Sequence, residues 1–174
     1  MEQVVLVDSN DNVTGSCEKM EAHRQGLLHR AFSVFIFNEA NEILLQKRAQ
    51  DKYHSPGLWT NTCCGHPRPH EEILAAAQRR LKEEMGIACE LQRAYSFTYF
   101  FNFKNGLIEN EFDHVLVGRY SGNPIPDPAE ASDWKWIKPE DAERELKLNP
   151  LQFTYWFGLC LNDIDKIVAS VNAG

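Results

Sequence analysis

The sequence has no long hydrophobic run and no excess of positive charge. No stretch approaches the roughly 18–20 apolar residues that a membrane-spanning helix needs. The opening MEQVVLVDSN lacks the basic and apolar regions of a signal peptide. The 174 residues include 18 Lys and Arg against 25 Asp and Glu, a formal charge of −7. We therefore expect neither nucleic acid nor membrane as a partner, and an anionic ligand would need a local cluster of cations.

Cysteines are few and poorly arranged for disulfides. Their number, five, is odd, and Cys63 and Cys64 are adjacent. Free thiols fit a reducing compartment, so we expect a cytoplasmic protein. The length predicts a single domain over residues 1–174. Nothing in the sequence indicates an obligate oligomer, so a monomer is expected.

Hydrophobic periodicity predicts more strands than helices. The predicted strands cover 3–8, 29–38, 43–48, 58–62, 91–103, 107–119 and 133–137. Asn105–Gly106 between two of them is a strong hairpin signal. Helices are predicted over 17–25 and 71–86, from Pro139 onwards, and over 150–171. This pattern predicts an α+β fold with a mixed or antiparallel sheet flanked by helices.

The segment from Gly65 to Ile87 reads G-x5-E-x7-R-R-L-x-E-E-x-G-I. It resembles the Nudix box, G-x5-E-x7-R-E-U-x-E-E-x-G-U with U aliphatic, a loop–helix–loop that handles diphosphates through a metal ion. Arg80 stands where the box has Glu. The guanidinium group of Arg80 replaces a metal-binding carboxylate with a group suited to binding phosphate. The segment therefore favours a reaction on a diphosphate other than hydrolysis.

A divalent metal site is a second hypothesis. Glu109 and Glu111 are two residues apart on a predicted strand, so both carboxylates project from one face. His23, His29 and His66 lie near predicted element ends. Three imidazoles and two carboxylates would suit Mn²⁺, Mg²⁺, Fe²⁺ or Zn²⁺. Sequence spacing alone does not assemble these residues, and three other histidines are equally available: His54, His70 and His114.

The adjacent cysteines allow two interpretations. Neighbouring residues on an extended chain point to opposite sides, so at most one of Cys63 and Cys64 faces a cavity. Both could instead be small buried hydrophobic residues, which is the commoner fate of free cysteine. A reactive thiolate needs an electropositive setting, which His66 or a nearby metal could provide.

Over nearly its whole length the sequence resembles the type I isopentenyl diphosphate isomerases, a branch of the Nudix superfamily. The matching motifs are LLHRAFSVFIFN, RAQDKYHSPGLWTNTCCGHP, Arg79–Arg80 leading into EEMGI, and IENE at 108–111. The resemblance implies a Nudix fold with an N-terminal extension. It also implies interconversion of isopentenyl and dimethylallyl diphosphate, through protonation and deprotonation, in isoprenoid biosynthesis.

The resemblance further implies individual roles. The ligands of one divalent metal, Mn²⁺, Mg²⁺ or Zn²⁺, would be His23, His29, His66, Glu109 and Glu111. Glu84 would help to hold a Mg²⁺ that docks the diphosphate, near the backbone carbonyl of Cys64. Cys64 and Glu111 would be the acid–base groups, with Tyr99 beside Glu111 and Trp156 over the hydrocarbon. The diphosphate contacts would be Lys19, Arg48, Lys52 and Arg80.

Two other functions stay open on the sequence. One is a Nudix hydrolase of a nucleoside diphosphate derivative. Arg80 and Cys64 argue against it, but Glu83 retains a carboxylate that the isomerases often lack and leaves room for residual diphosphatase activity. The other is a binding module without turnover, which predicts that Cys64, Glu84 and Glu111 can be changed without loss of function.

Overall fold

The computed structural model describes residues 2–173, and the strand β3 (His29–Phe37) organises its sheet. This strand is rich in aromatic and β-branched residues, and its side chains are buried on both faces. Along one edge it runs parallel to β8 (Ile108–Arg119). Along the other edge it pairs antiparallel with β6 (Cys63–Gly65), and near its ends with β1 (Gln3–Val7) and β4 (Ile43–Arg48).

The remaining strands extend this sheet outward. β7 (Leu91–Asn102) forms an antiparallel hairpin with β8, and Gly106 at its tip has a φ of 84°, in the left-handed region that favours glycine. β5 (Trp59–Thr60) and β9 (Ala131–Ile137) pair with β4, and β2 (Val13–Glu18) pairs with β1. The described part of the chain thus forms one mixed sheet of nine strands.

Helices cover both faces of the sheet. They are α1 (Lys19–Gln25), α2 (Ile73–Met85), α3 (Pro139–Leu148), α4 (Tyr155–Leu161) and α5 (Ile164–Ala173). One core cluster packs Leu81 and Met85 of α2 against Phe32 of β3. A second packs Phe157 and Ile167 against the other face of the sheet. The predicted α+β fold with a mixed sheet flanked by helices is confirmed.

Three predicted elements differ from the structure. The helix predicted over 17–25 starts at Lys19, because Cys17 and Glu18 end the unpredicted strand β2 and the Glu18 carboxylate caps the helix. The strand predicted over 58–62 is shortened to β5, and the Cys63–Cys64 pair lies on the unpredicted strand β6. The closing helix predicted over 150–171 divides into a 3₁₀ turn (Pro150–Gln152), α4 and α5. None of the helices within residues 2–173 has the length and hydrophobicity of a membrane span.

Candidate active site

A cavity of about 460 Å³ brings together residues from distant parts of the sequence. Its wall includes every predicted site residue except His23 and His29, which lie behind it in contact with the His66 ring. The predicted residues on the wall are Lys19, Arg48, Lys52, Cys64, His66, Arg80, Glu84, Tyr99, Glu109, Glu111 and Trp156. The fold therefore places the predicted acid–base groups, cations and metal-type ligands around one space.

Five residues meet at one end of this cavity. One ligand atom each from His23, His29 and His66 lies within 4.8 Å of the others, and the same holds for His29, Glu109 and Glu111. We call these five residues the histidine end. The sheet explains their meeting, because His29 is directly beside Glu111 in the parallel β3–β8 pair, and Glu109 shares the Glu111 face of β8.

Backbone carbonyls orient two of the three imidazoles. His23 Nδ1 donates to the carbonyl of Ile108 at 3.2 Å, and His29 Nδ1 donates to the carbonyl of Leu27 at 2.8 Å. The Nε2 atom of each ring then keeps its lone pair, and both Nε2 atoms are buried without a hydrogen-bond partner in the described residues. Histidines that ligate metals are oriented in this way. Burial, with smaller contributions from His66 and His29, lowers the pKa of His23 to about 4, which keeps the ring in its metal-binding neutral form.

The two carboxylates of the histidine end are buried close together. Burial, followed by the charge of Glu111, holds the pKa of Glu109 well above its usual range. Burial also acts to raise the pKa of Glu111, but the neighbouring His29 and His66 imidazoles outweigh it and hold that pKa well below its usual range. Glu109 Oε2 is buried without a hydrogen-bond partner among residues 2–173. A divalent cation would let both carboxylates ionise and would fill these unpaired positions, so the residues fit a metal.

Both oxygens of Glu111 have hydrogen-bond partners. Tyr99 lies opposite Glu111 in the β7–β8 hairpin, and its hydroxyl donates to Glu111 Oε2 at 2.7 Å. His66 Nε2 lies 2.8 Å from Glu111 Oε1. Burial, followed by the charge of Glu111, raises the pKa of Tyr99 well above its usual value, so the phenol stays protonated. Glu111 is therefore fixed in orientation with a proton held beside it.

Cys64 reaches the cavity from β6, on the other edge of β3 from Glu111. Its thiol donates to Asn61 Oδ1 at 3.1 Å and lies 3.8 Å from Ser33 Oγ. Burial, with the charge of Asp113 adding to it, raises the pKa of Cys64 to about 12. Burial and the nearby carboxylate of Asp113 therefore favour the neutral thiol of Cys64 over the thiolate. Cys63 points the other way, into the core cluster under α2, as strand alternation predicts.

Paired charges occupy the other end of the cavity. Arg80 Nη1 donates to Glu83 Oε2 at 2.7 Å, and Nη2 donates to Glu84 Oε1 at 2.6 Å and lies 3.2 Å from Glu130 Oε1. Lys52 pairs with the second oxygen of Glu130. We call Lys52, Arg80, Glu84 and Glu130 the arginine end. Glu84 belongs to neither group of clustered ligand atoms found in the described residues, so it lies apart from the histidine end.

The other two predicted diphosphate residues also have acceptors. Lys19 Nζ lies 3.1 Å from Glu2 Oε2. Arg48 donates from Nε to the carbonyl of Ser55 at 3.2 Å and from Nη2 to the carbonyl of His54 at 3.1 Å. All four cations therefore line the cavity while bonded to groups of the protein itself.

Trp156 forms part of the apolar wall. It lies on α4 with 4% of its surface exposed, and its ring centroid is 5.5 Å from the Arg48 guanidinium carbon. Its Nε1 atom is buried and has no hydrogen-bond partner within residues 2–173. Trp156 thus lines the cavity with the Arg48 guanidinium over its ring.

Several residues at the site were not singled out by the sequence. His54, Gln46 and Glu130 line the cavity, and Asn61 holds Cys64 from behind. Gln46 Nε2 donates to Glu84 Oε2 at 2.9 Å. His54 stood in the motif RAQDKYHSPG, which was a usable signal. Glu130 follows a proline-rich connection, where no local pattern marks a functional carboxylate.

The chain is similar to proteins of known family. The NUDIX domain family matches residues 27–157. Isopentenyl-diphosphate Delta-isomerase 1 of Aromatoleum aromaticum is 54% identical over 168 residues, which cover 97% of this chain and 93% of that protein. Isopentenyl-diphosphate Delta-isomerase of Serratia proteamaculans is 53% identical over 163 residues, covering 94% of this chain and 91% of the relative.

Solved structures share the fold. The crystal structure of DR0079 from Deinococcus radiodurans superposes with a TM-score of 0.79, covering 93% of this chain and 98% of that one, at 20% identity. The crystal structure of a MutT protein from Methanosarcina mazei Go1 superposes with a TM-score of 0.66, covering 80% of this chain and 94% of that one, at 18% identity. At these identities the likeness concerns the fold alone.

Proposed function

The chain belongs to the isopentenyl-diphosphate Delta-isomerases of the Nudix superfamily, and we propose that it isomerises its substrate with Cys64 and Glu111 as the two acid–base groups. The reaction interconverts isopentenyl and dimethylallyl diphosphate. One observation carries the assignment of residues: Cys64 and the Tyr99–Glu111 pair open onto the same cavity as four cations.

The reaction moves a carbon–carbon double bond by one position. A proton is added to the terminal methylene carbon, and a proton is removed from the carbon nearer the diphosphate. The alkene is unactivated, so the state between these transfers is a tertiary carbocation or close to one. Two positioned acid–base groups are sufficient for such a shift, each within hydrogen-bond reach of its carbon.

Cys64 and Glu111 come from strands on the two edges of β3, so they approach a substrate in the cavity from two sides. Tyr99 holds a proton at Glu111 Oε2, and Asn61 holds the Cys64 thiol in place. Either group can donate in one direction and accept in the other, because the reaction is reversible. The Trp156 ring would stabilise the cationic state by up to ~2 kcal/mol in a site without water.

We propose that the histidine end holds one divalent metal, with Mn²⁺, Mg²⁺ and Zn²⁺ as the candidate ions. The support is the set of buried, unpaired ligand atoms at His23, His29 and Glu109. A bound cation would supply positive charge that keeps both carboxylates ionised and orders their orientation. Glu84 lies near the phosphate-binding cations and is proposed to hold the Mg²⁺ that accompanies the diphosphate.

The diphosphate is proposed to bind at the arginine end, together with Lys19 and Arg48. Arginine forks match phosphate oxygens in geometry and charge, and the net charge of the whole protein supplies no attraction. Arg80 also engages both Glu83 and Glu84, at 2.7 and 2.6 Å. Glu83, the carboxylate that the isomerases often lack, is therefore tied to a guanidinium, which supports isomerisation over hydrolysis.

The remaining expectations for this chain are proposals of the same kind. We propose that residues 1–174 act as one domain, as a monomer in the cytoplasm, with a small prenyl diphosphate as substrate. Nucleic acid and membrane are not proposed as partners. All five cysteines are free, which is the support for a reducing compartment.

Incubation with isopentenyl diphosphate in D₂O tests the proposed chemistry. NMR of the metal-loaded protein is expected to show deuterated dimethylallyl diphosphate. Neither Cys64→Ala nor Glu111→Gln is expected to produce it at a comparable rate. Release of phosphate without isomerisation would instead indicate a hydrolase, and full activity in either variant would remove that residue from the mechanism.

A further inference from the structure

A fourth histidine stands at the edge of the histidine end. His54 is 7% exposed, and its Nε2 atom lies 3.0 Å from Glu109 Oε1. Its Nδ1 atom is buried and has no hydrogen-bond partner among residues 2–173. His54 has no role in the proposed reaction. Its position beside Glu109, a proposed metal ligand, therefore needs an explanation.

The ring of His54 is held on several sides. It stacks on Phe103, with ring centroids 4.9 Å apart and an angle of 16° between the planes. Trp156 meets it edge to face at 5.5 Å, and so does Tyr53 at 4.4 Å. An imidazole packed among three aromatic rings cannot turn freely, so the direction of its Nε2 atom is fixed by packing.

The backbone of the same loop is also tied down. Arg48 donates to the carbonyls of His54 and Ser55, at 3.1 and 3.2 Å. Asn105, at the tip of the β7–β8 hairpin, donates to the carbonyl of Tyr53 at 3.1 Å. The loop is therefore fastened to the cavity wall and to the hairpin that carries Glu109.

The two oxygens of Glu109 have different surroundings. Oε1 is contacted by His54, whereas Oε2 is buried and has no hydrogen-bond partner in the described residues. Glu109 belongs to a group of clustered ligand atoms with His29 and Glu111, and His54 belongs to neither such group. His54 thus lies beside Oε1, while Oε2 is 3.5 Å from His23 Nδ1, on the side of the clustered ligand atoms.

We propose that His54 is a positioning residue for metal binding: its Nε2 atom, 3.0 Å from Glu109 Oε1, holds that oxygen in place and thereby aims Oε2 at the shared ligand positions. This inference rests on the proposed metal site and adds a residue to it. His54 acts through Glu109 and does not ligate the metal. The Arg48 side chain that holds the loop of His54 is also a proposed diphosphate contact.

Three variants separate the hydrogen bond from the packing. His54→Phe keeps an aromatic ring in the stack and removes the donor, with His54→Ala as a second donor-free variant if His54→Phe does not fold. His54→Gln keeps a side-chain N–H. His70→Asn is the matched control, because His70 is exposed and has a φ of 67°, which asparagine tolerates.

The measurement is the affinity of the metal-free proteins for Mn²⁺, followed by EPR of the free ion. Loss of a residue that orients a ligand weakens metal binding by about 10- to 100-fold, and this is the loss expected for His54→Phe. His54→Gln is expected to recover most of the affinity, and His70→Asn to match the unsubstituted protein. In a Glu109→Gln background, His54→Phe should add less than about threefold, because the two residues act as one unit.

Two results would overturn the inference alone. One is an unchanged Mn²⁺ affinity in the donor-free variants. The other is a His54→Phe loss that stays as large when Glu109 is already Gln, which would make His54 a ligand or a packing residue. If the unsubstituted protein binds neither Mn²⁺ nor Zn²⁺, the proposed metal site fails and the role of His54 fails with it.

Discussion

At the histidine end of the cavity, several potential ligand atoms are buried without hydrogen-bond partners. At the arginine end, every charged side chain is paired with one of opposite charge. His23 Nε2, His29 Nε2 and Glu109 Oε2 lack hydrogen bonds within the described residues. Arg80 meets three carboxylates, and Lys52 meets one. Leaving buried polar groups unpaired is costly, so the first arrangement is suited to a resident ion. The arrangement at the arginine end is suited to an anionic ligand that binds reversibly. Protein carboxylates pair with the cations when that ligand is not bound.

This difference predicts different consequences at the two ends. Changes at the histidine end should reduce turnover and metal content. Changes at the arginine end should act mainly on substrate affinity.

Glu111→Gln is expected to have the largest effect. The variant loses a proposed acid–base group, and such groups contribute about 10²- to 10⁴-fold to a rate. It also loses a carboxylate that His66 and Tyr99 orient. We expect kcat to fall by at least the upper part of that range, measured by conversion of isopentenyl diphosphate. The control is Asp133→Asn, which changes an exposed carboxylate on β9. A kcat for Glu111→Gln within tenfold of the unsubstituted protein would contradict the proposed acid–base role of Glu111.

Arg80→Lys tests the guanidinium fork at the other end. Lysine keeps the charge but cannot span two acceptors, and Arg80 bonds both Glu83 and Glu84. A charge-assisted hydrogen bond is worth about 1.5–3 kcal/mol, so we expect KM to rise by about 10- to 100-fold with a smaller change in kcat. The exposed Arg93 gives the control Arg93→Lys. A fall in kcat with KM unchanged would place Arg80 in the chemical step instead.

Trp156→Phe should reduce turnover by a smaller factor. Phenylalanine offers a weaker ring face to a cation, and the whole interaction is worth at most ~2 kcal/mol. We expect kcat to fall by about tenfold or less and KM to change little, as determined from steady-state kinetics. Trp136→Phe, at a half-buried Trp on β9, controls for the loss of an indole. Equal losses in the two variants would point to stability rather than to the cationic state.

Glu130→Gln is expected to improve substrate binding slightly. The Glu130 carboxylate pairs with both Lys52 and Arg80, and a bound diphosphate must replace it. Burial acts to raise its pKa, but the hydrogen bond and charge of Lys52 and the charge of Arg80 outweigh it, so this carboxylate is ionised at neutral pH. Partly exposed ion pairs are worth ~0.2–1 kcal/mol, so the Kd of the substrate should fall by about two- to fivefold in a calorimetric titration. A raised Kd would show that Glu130 helps to bind substrate. The control is Glu90→Gln, which changes an exposed carboxylate.

The sequence predicted much of the sheet and of the charged cavity wall. The aromatic and β-branched run of β3 and the Asn105–Gly106 turn are local signals, and both elements form as predicted. The alternation of side chains along a strand also predicted that Glu109 and Glu111 share one face of β8, without knowledge of the neighbouring strands. Local pattern was insufficient for β2, whose residues are mostly exposed and which forms only by pairing with β1.

Residue spacing could not assemble the histidine end. His23 is on α1, His29 begins β3 and His66 follows β6, so their meeting depends on the strand pairings around β3. His54 comes from a loop whose position is set by Arg48 and by three aromatic rings. Contacts of this kind exist only after the chain has folded, and no periodicity in the sequence encodes them.

One paired measurement tests the division between the two ends most directly. Metal content and the Kd for isopentenyl diphosphate, with Mg²⁺ present, are determined for Glu111→Gln and Arg80→Lys together. We expect Glu111→Gln to lose the metal of the histidine end but to keep its substrate Kd within about threefold, as expected for sites that act independently. Arg80→Lys should retain the metal and lose substrate affinity. Loss of both metal and substrate affinity in either variant would show that the two ends do not act independently.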